Sequence, residues 1–255
     1  MRTISIMNNK GGVGKTVTAI NLADVLVRRH KKRVVLVDCD GQMNLTRFYL
    51  PKFDPETQVT VADILRGEGE PLWSENLMPI APDLDLLCGS NGLYDLDLKA
   101  IRDGVGSPEL LGQFCEAAAE DDGADFFILD CPPGYTTASV AALMAADEVV
   151  IPMTVDGFAF DGVQDMQKQI ASLQRARMGV KISGVLITQW HNSDVVLQGE
   201  QLLRSMSVPV FKRVIRRTEK MPESTFERLP VGRYSPRSAA SRDYRAWVRE
   251  LIGEV

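Results

Sequence analysis

The apolar positions of this chain fall into short blocks, and several blocks end on an acid or a glycine. Ile4, Ile6 and Met7 precede a glycine-rich stretch, while Val34-Val35-Leu36-Val37 runs into Asp38-Cys39-Asp40. Phe126-Phe127-Ile128-Leu129 likewise runs into Asp130-Cys131-Pro132-Pro133-Gly134. Two further blocks follow, Glu148-Val149-Val150-Ile151-Pro152 and Ile182 to Ile187, the second closing at Thr188-Gln189-Trp190. Unbroken apolar runs of this length are the pattern of strands covered on both faces, as parallel strands are. Helical spacing separates them: Ile20, Ala23 and Val27, then Leu110 to Ala119, a helix ending over Ala141 to Ala146, and Gly162 to Leu173. The alternation predicts an α/β fold with right-handed crossovers, a mostly parallel twisted sheet of about seven or eight strands carrying helices on both faces. Pro51 to Gly106 breaks the rhythm: Val59 to Leu65 reads as a short helix, Leu84 to Cys88 as a strand, and frequent Gly and Pro predict loops elsewhere. Glu116 to Asp125 reads as an acidic, solvated connector.

The first turn carries the strongest chemistry. Lys10-Gly11-Gly12-Val13-Gly14-Lys15-Thr16 lies between the first strand and the first helix. Glycines at 11, 12 and 14 let the backbone bend so that several N–H groups face one anion. The helix N-terminus adds partial positive charge at the same point. Within the phosphate-loop pattern G-x-x-x-x-G-K-[ST], Lys15 meets the β- and γ-phosphates and the Thr16 hydroxyl holds magnesium. The first position of the pattern is Asn9 here, followed by a second lysine, Lys10. Ligands of open α/β sheets bind at the C-terminal edge of the strands, so Asp38, Asp40 and Asp130 are placed to face those phosphates. Asp130 is the acid that holds magnesium through its water shell in phosphate-loop ATPases.

Lys10 through Thr16 resembles the deviant phosphate loop of the ParA/MinD family of ATPases, whose signature is the extra lysine. The resemblance extends through Asp38, Asp40, Gln42 and Asn44, through Asp130-Cys131-Pro132-Pro133, and from Phe211 to Tyr244. It implies a phosphate-loop NTPase with ATP and Mg2+ as cofactors. The nucleotide would lie against Lys10, Gly11, Gly12, Val13, Gly14, Lys15, Thr16 and Val17, with Thr188 and the loop at Arg216 flanking the base. Lys10, Lys15 and Asp40 would be catalytic, Asp40 orienting the attacking water and Lys10 reaching the phosphates of a second subunit. Thr16, Asp38 and Asp130 would serve the metal. Four positions depart from the family pattern: Val17 replaces a threonine near the α-phosphate, Gly41 a proline, Met43 a glycine and Arg216 a proline.

Composition then narrows the class. With 255 residues and 45% apolar content the chain is long enough for one sizeable domain, residues 1–255. No apolar run reaches the roughly eighteen residues of a membrane helix, and no signal sequence precedes the first strand, so a cytoplasmic protein is expected. Cys39, Cys88, Cys115 and Cys131 lack C-x-x-C spacing and read as reduced thiols; an iron–sulfur role for Cys131 lacks partner cysteines. His30 and His191 are expected at a helix end and in a surface loop.

Net charge is −5, yet Arg204 to Arg249 holds twelve Lys/Arg against four Asp/Glu. A basic C-terminal quarter on an acidic body is a local footprint for a polyanion. By resemblance, Lys212, Arg213, Arg217, Lys220, Arg237 and Arg242 would grip double-stranded DNA without reading its sequence, with Arg216 and Arg245 as additions. The family further implies an ATP-state homodimer, a ParB-like centromere-binding partner and association with the nucleoid. Two rivals are a MinD-like ATPase docked on a membrane and a dethiobiotin-synthetase-like enzyme phosphorylating a small carboxylate. The last helix bears on the first: Tyr244, Trp247, Val248, Leu251, Ile252 and Val255 form an apolar stripe, but the opposite face mixes acids with arginines, so core packing is expected. The loop assignment predicts that Lys15→Ala abolishes ATP binding; tight binding of a fluorescent ATP analogue by that variant would overturn it.

Overall fold

The computed structural model describes residues 1–67, 74–103, 106–155 and 179–254. Seven strands form one sheet: β1 (Arg2–Ile6), β2 (Val34–Asp38), β3 (Met78–Ala81), β4 (Leu84–Leu87), β5 (Phe126–Asp130), β6 (Glu148–Met153) and β7 (Lys181–Ile187). Their spatial order is β3-β4-β2-β5-β1-β6-β7. Every neighbouring pair is parallel except β3 with β4, so the expected α/β architecture holds. All five residues of β2 and of β5 are buried, which is why both read as continuous apolar runs.

Ten helices surround the sheet among the described residues: α1 (Lys15–His30), α2 (Asn44–Tyr49), α3 (Val61–Arg66), α4 (Gly92–Asp103), α5 (Glu109–Asp122), α6 (Thr137–Ala145), α7 (Asp194–Ser205), α8 (Lys220–Phe226), α9 (Val231–Tyr234) and α10 (Ala239–Ile252). Alternate residues of each strand point to opposite faces, which divides the core in two. Ile4, Ile6, Leu36 and Ile128 face α1, α2 and α10, whereas Val35, Val37, Phe127 and Leu129 face α3, α5 and α6.

Register fixes the geometry that function needs. Ile6 lies opposite Asp130, and Asp130 opposite Asp38. The residues that leave β1, β5 and β2 therefore emerge side by side at one edge. Beyond β7, Phe211 and Ile215 donate backbone N–H groups to Val185 and Ile187 at 3.0 and 2.8 Å, so the segment before α8 continues the sheet edge toward the same point.

Pro51 to Gly106 is more regular than its composition predicts. α4 is a twelve-residue helix in which only Leu93 and Leu96 are buried, while Leu98 and Ile101 stand exposed. β3 is an antiparallel edge strand containing Pro79, a residue tolerated only at such an edge. α2 begins directly after Gly41 and Met43, the two departures from the family pattern that follow β2. The expected acidic connector is mostly helix: α5 runs to Asp122 and ends on Gly123 at φ 70°, a left-handed stop. The helix expected over Gly162 to Leu173 lies outside the described residues.

The terminal helix packs as expected. Tyr244, Trp247, Val248 and Leu251 of α10 are buried, Ile252 is half-buried and Val255 lies outside the described residues. Trp247 meets Phe211 and Tyr244 edge-on at 5.8 and 6.0 Å. His30 closes α1 with its ring 3.1 Å from Glu254, and His191 is exposed. Among the described residues no helix is long and apolar enough to cross a membrane.

Candidate nucleotide site

The loop from Met7 to Gly14 is tied down at several points. Asn8 donates its side-chain amide to the carbonyl of Pro152 on β6 at 2.8 Å and accepts the N–H of Lys10 at 2.9 Å. On the far side, Thr188 donates to the Val13 carbonyl and Gln189 to the Gly12 carbonyl, both at 2.8 Å. Gly12 and Gly14 adopt φ 74° and 87°, left-handed values that exclude a strain-free side chain. Gly14 caps α1, whose first turn has neither a side-chain cap nor an acid. A first turn with neither cap nor acid leaves its N–H groups for an incoming anion.

Lys15 folds back over this loop, its ammonium 3.0 Å from the Lys10 carbonyl. Burial lowers its pKa, opposed by Asp130, Cys131 and Asp40. Lys10 itself is exposed at the loop apex with Gly11 and Gly12.

The acids take different parts. Asp38 is fully buried and accepts the Thr46 N–H at 2.8 Å, the Thr46 hydroxyl at 2.7 Å and the Asp40 N–H at 3.2 Å. Burial raises its pKa to about 6 despite those donors. Both its oxygens are engaged in fixing α2 and the approach to Asp40. Asp40 accepts the Gln42 N–H at 2.9 Å and borders the cleft. Asp130 differs: it is 1% exposed, yet neither carboxylate oxygen has a hydrogen-bond partner in bonding geometry. Burial pushes its carboxyl well above the ordinary range, Asp38 adds to the shift, and the Thr16 hydroxyl opposes it. An orphaned buried carboxylate beside a threonine hydroxyl and an uncapped helix fits a hydrated divalent cation. Among the described residues no three His, Cys, Asp or Glu side chains form a closed metal cage. Magnesium suits such a site, because it keeps water and substrate phosphate as ligands.

Two family departures find physical accounts here. Met43, where the family carries glycine, sits at φ 58° as the N-cap of α2, a conformation that costs a side chain about 1–2 kcal/mol. A Cβ added at Gly41 would lie 2.8 Å from the ring of Tyr94 on α4, so the family's proline does not fit beneath this tyrosine. Gly89 likewise lets the end of β4 press against the backbone of Asp38 and Asp40.

These elements enclose a cleft of about 640 Å3. One wall is Gly11, Gly12, Gly14 to Val17, Asp40, Gln42 and Asn44. The other is Thr188, Gln189, Ile215 to Glu219, Tyr244, and Met221, Pro222 and Thr225 of α8. Thr188 and Arg216 thus come together as expected, but the Arg216 guanidinium is bound to Asp243 at 2.6 and 2.9 Å, and that hydrogen bonding raises its pKa. Val13 is buried beneath the loop. Sequence reasoning missed Asn8, Thr46, Gln189 and Tyr94. Thr46 alone carried a signal, as a polar residue between the buried Leu45 and Phe48.

All six residues expected to bind DNA are exposed, though not in one patch. Arg217 borders the nucleotide cleft, Lys220 is paired with Glu223 at 2.6 Å, and Lys212 and Arg213 line a separate hollow with Arg249.

A glycine-rich loop joining a central parallel strand to an uncapped helix, with acids at the adjoining strand ends, defines a phosphate-loop NTPase. A family described as AAA domain matches residues 1–182. The chain is 31% identical to the chromosome-partitioning ATPase Soj of Thermus thermophilus, over 100% of this chain and 97% of that protein. Its fold superimposes on apo McdA of Cyanthece with a TM-score of 0.84 at 21% identity, covering 99% and 100% of the two chains. It is also similar to cobyrinic acid a,c-diamide synthase from Mycobacterium smegmatis with bound ATP analogue and magnesium, at TM-score 0.82 and 25% identity over 99% of this chain and 94% of that one. The chain belongs to this AAA-domain family and, within it, to the ParA/MinD group of phosphate-loop ATPases.

The orphaned state of Asp130 predicts opposite effects on stability and activity. Asp130→Asn removes a buried acid whose oxygens lack a hydrogen-bond partner in bonding geometry, and is expected to stabilise the nucleotide-free protein by about 1–3 kcal/mol in urea denaturation. The same variant should lose magnesium-dependent ATP hydrolysis; unchanged hydrolysis would remove Asp130 from the metal site.

Proposed function

We propose that this protein is a partition ATPase of the ParA type, which dimerises on MgATP, holds duplex DNA without sequence preference and releases it on hydrolysis. The observation that carries the reading is the pair of lysines in one loop. Lys15 is buried and turned inward, whereas Lys10 stands exposed at the lip of the cleft.

In this mechanism the backbone N–H groups from Gly11 to Thr16 and the Lys15 ammonium bind the triphosphate. Thr16 and Asp130 would hold magnesium, which when bound neutralises phosphate charge. Asp38 fixes Asp40, and Asp40 orients the water that attacks the γ-phosphorus as the bond to the ADP oxygen breaks. Lys10 of each subunit reaches the phosphates of the other. Its charge does the work of an arginine finger, whose effect is roughly 10³- to 10⁵-fold in rate.

Closure brings the basic surfaces of two subunits together, and two weak grips joined in one body bind far more tightly than either alone. Lys212, Arg213, Arg217, Arg237 and Arg242 supply that grip, with Lys220 shared with Glu223. Hydrolysis, stimulated by a ParB-like partner, separates the subunits and releases the DNA, so nucleoid association follows the ATP state. The buried apolar face of α10 supports this reading over membrane docking, since Trp247 and Val248 are at 0% exposure.

Asp40→Ala is expected to accumulate as an ATP-bound dimer, seen as a doubled mass in size-exclusion chromatography with light scattering. A monomer in saturating MgATP contradicts the closure step. Arg213→Glu with Arg217→Glu should weaken DNA retention at least tenfold in an electrophoretic shift; undiminished retention moves the DNA face elsewhere.

A further inference from the structure

At the far end of α1 from the phosphate loop lies a second basic feature. A hollow of about 600 Å3 between α1 and α10 is walled by Arg29, Arg242, Arg245 and Arg249 over a floor of Val25 and Ala246. Arg242, Arg245 and Arg249 are spaced i, i+3 and i+7, so α10 presents them in one stripe. Among the described residues no acid lines the hollow. The neighbouring carboxylates are engaged elsewhere: Asp24 with Arg28 and Arg233, Asp243 with Arg216, Glu254 with His30, and Glu250 with the backbone N–H groups of Lys212 and Arg213. Arg245 is held in place by donating to the Pro236 carbonyl at 3.1 Å. Its pKa is lowered by burial and then by the like charges of Arg29 and Arg242, so the guanidinium groups crowd one another. Like charges gathered without a counter-charge are relieved by an incoming anion.

We propose that Arg29, Arg242, Arg245 and Arg249 form a phosphate-binding groove separate from the nucleotide site, and that it seats the phosphodiester backbone of duplex DNA. Arg29 is fourteen residues beyond Lys15 on one helix, about 21 Å at the helical rise, so a bound nucleotide does not reach it. Planar guanidinium forks suit phosphate oxygens. Past Ala246 and Arg249 the groove meets the hollow at Lys212 and Arg213, which Glu250 and Glu254 also line, so the acid-free stretch that suits phosphates is the one between α1 and α10. Of the four, Arg242 and, as an addition, Arg245 belong to the DNA-binding set expected from sequence; Arg29 and Arg249 do not. The choice of DNA rests on the function proposed above; a free polyphosphate would offer the same chemistry.

The test uses the full chain as wild type, Arg29→Ala/Arg249→Ala and the charge-retaining Arg29→Lys/Arg249→Lys. DNA affinity is measured by fluorescence anisotropy with Mg2+ and a non-hydrolysable ATP analogue between 50 and 200 mM salt. The alanine variant should bind at least tenfold more weakly, with a logarithmic salt dependence shallower by about 0.9 for each phosphate it no longer neutralises. The lysine variant should keep most of the wild-type slope and shows that the positions tolerate substitution. Wild-type affinity and slope in the alanine variant overturn the groove while leaving DNA binding intact. If wild-type protein holds no DNA, the functional reading fails instead, and tripolyphosphate is titrated against MgADP-saturated protein. A rise in melting temperature that is absent from the alanine variant then supports the groove with a free anion as ligand; equal shifts in both proteins overturn it.

Discussion

Three carboxylates are held out of water where β2 and β5 end, and the site depends on how that charge is balanced. Parallel pairing sets Asp38 beside Asp130, and burial raises the pKa of both. Asp38 at about 6 instead of 3.8 costs the fold roughly 3 kcal/mol at neutral pH, at about 1.4 kcal/mol per unit. That cost is present above the folded pKa and falls away as pH drops toward the unfolded value. Thr46 and the Asp40 N–H answer Asp38 locally, whereas Asp130 has only the nearby Thr16 hydroxyl and the Lys15 ammonium to oppose its charge. The difference lies in their partners: Asp38 is spent on Thr46 and the Asp40 N–H, whereas the lone pairs of Asp130 are left without a donor in bonding geometry. A polar site tolerated at such expense belongs to function rather than to stability.

Two departures from the family pattern, Gly41 and Met43, follow β2, and a third, Arg216, lies on the opposite wall of the cleft. Tyr94 occupies the volume that a residue larger than glycine at position 41 would need, and it comes from α4, a helix distant in sequence. Met43 accepts a left-handed backbone where glycine would be unstrained, and it is anchored by being 3% exposed. Arg216, in place of proline, is neutralised by Asp243 on α10, so the base side of the cleft gains less positive charge than the sequence implies. Gly41 and Arg216 are each answered by a neighbour that sequence spacing does not reveal.

What the sequence made legible follows from which forces are local. The strands were visible because burial on both faces writes itself as unbroken apolar runs, and the loop was visible because anion binding demands glycines and a lysine in fixed order. α4 was not, because it lies in a stretch whose glycines and prolines predict loops and it buries only Leu93 and Leu96, nor was edge strand β3 with its proline. Asn8 and Gln189 act through side chains reaching backbone carbonyls of other elements, interactions without a sequence motif. The basic C-terminal quarter was legible as charge but not as geometry: Arg29, on the first helix, joins it only through the packing of α1 against α10.

Nucleotide and divalent cation must bind together at this acidic edge if the charge there is to be balanced. Thermal denaturation of the wild-type protein with a non-hydrolysable ATP analogue, in Mg2+ and in EDTA, tests that pairing most directly. At a hundredfold excess over Kd a ligand adds about 2.7 kcal/mol, a rise of roughly 5–10 °C for a chain of this size. That rise is predicted with Mg2+, and little of it in EDTA. Equal stabilisation with and without the cation would contradict the pairing.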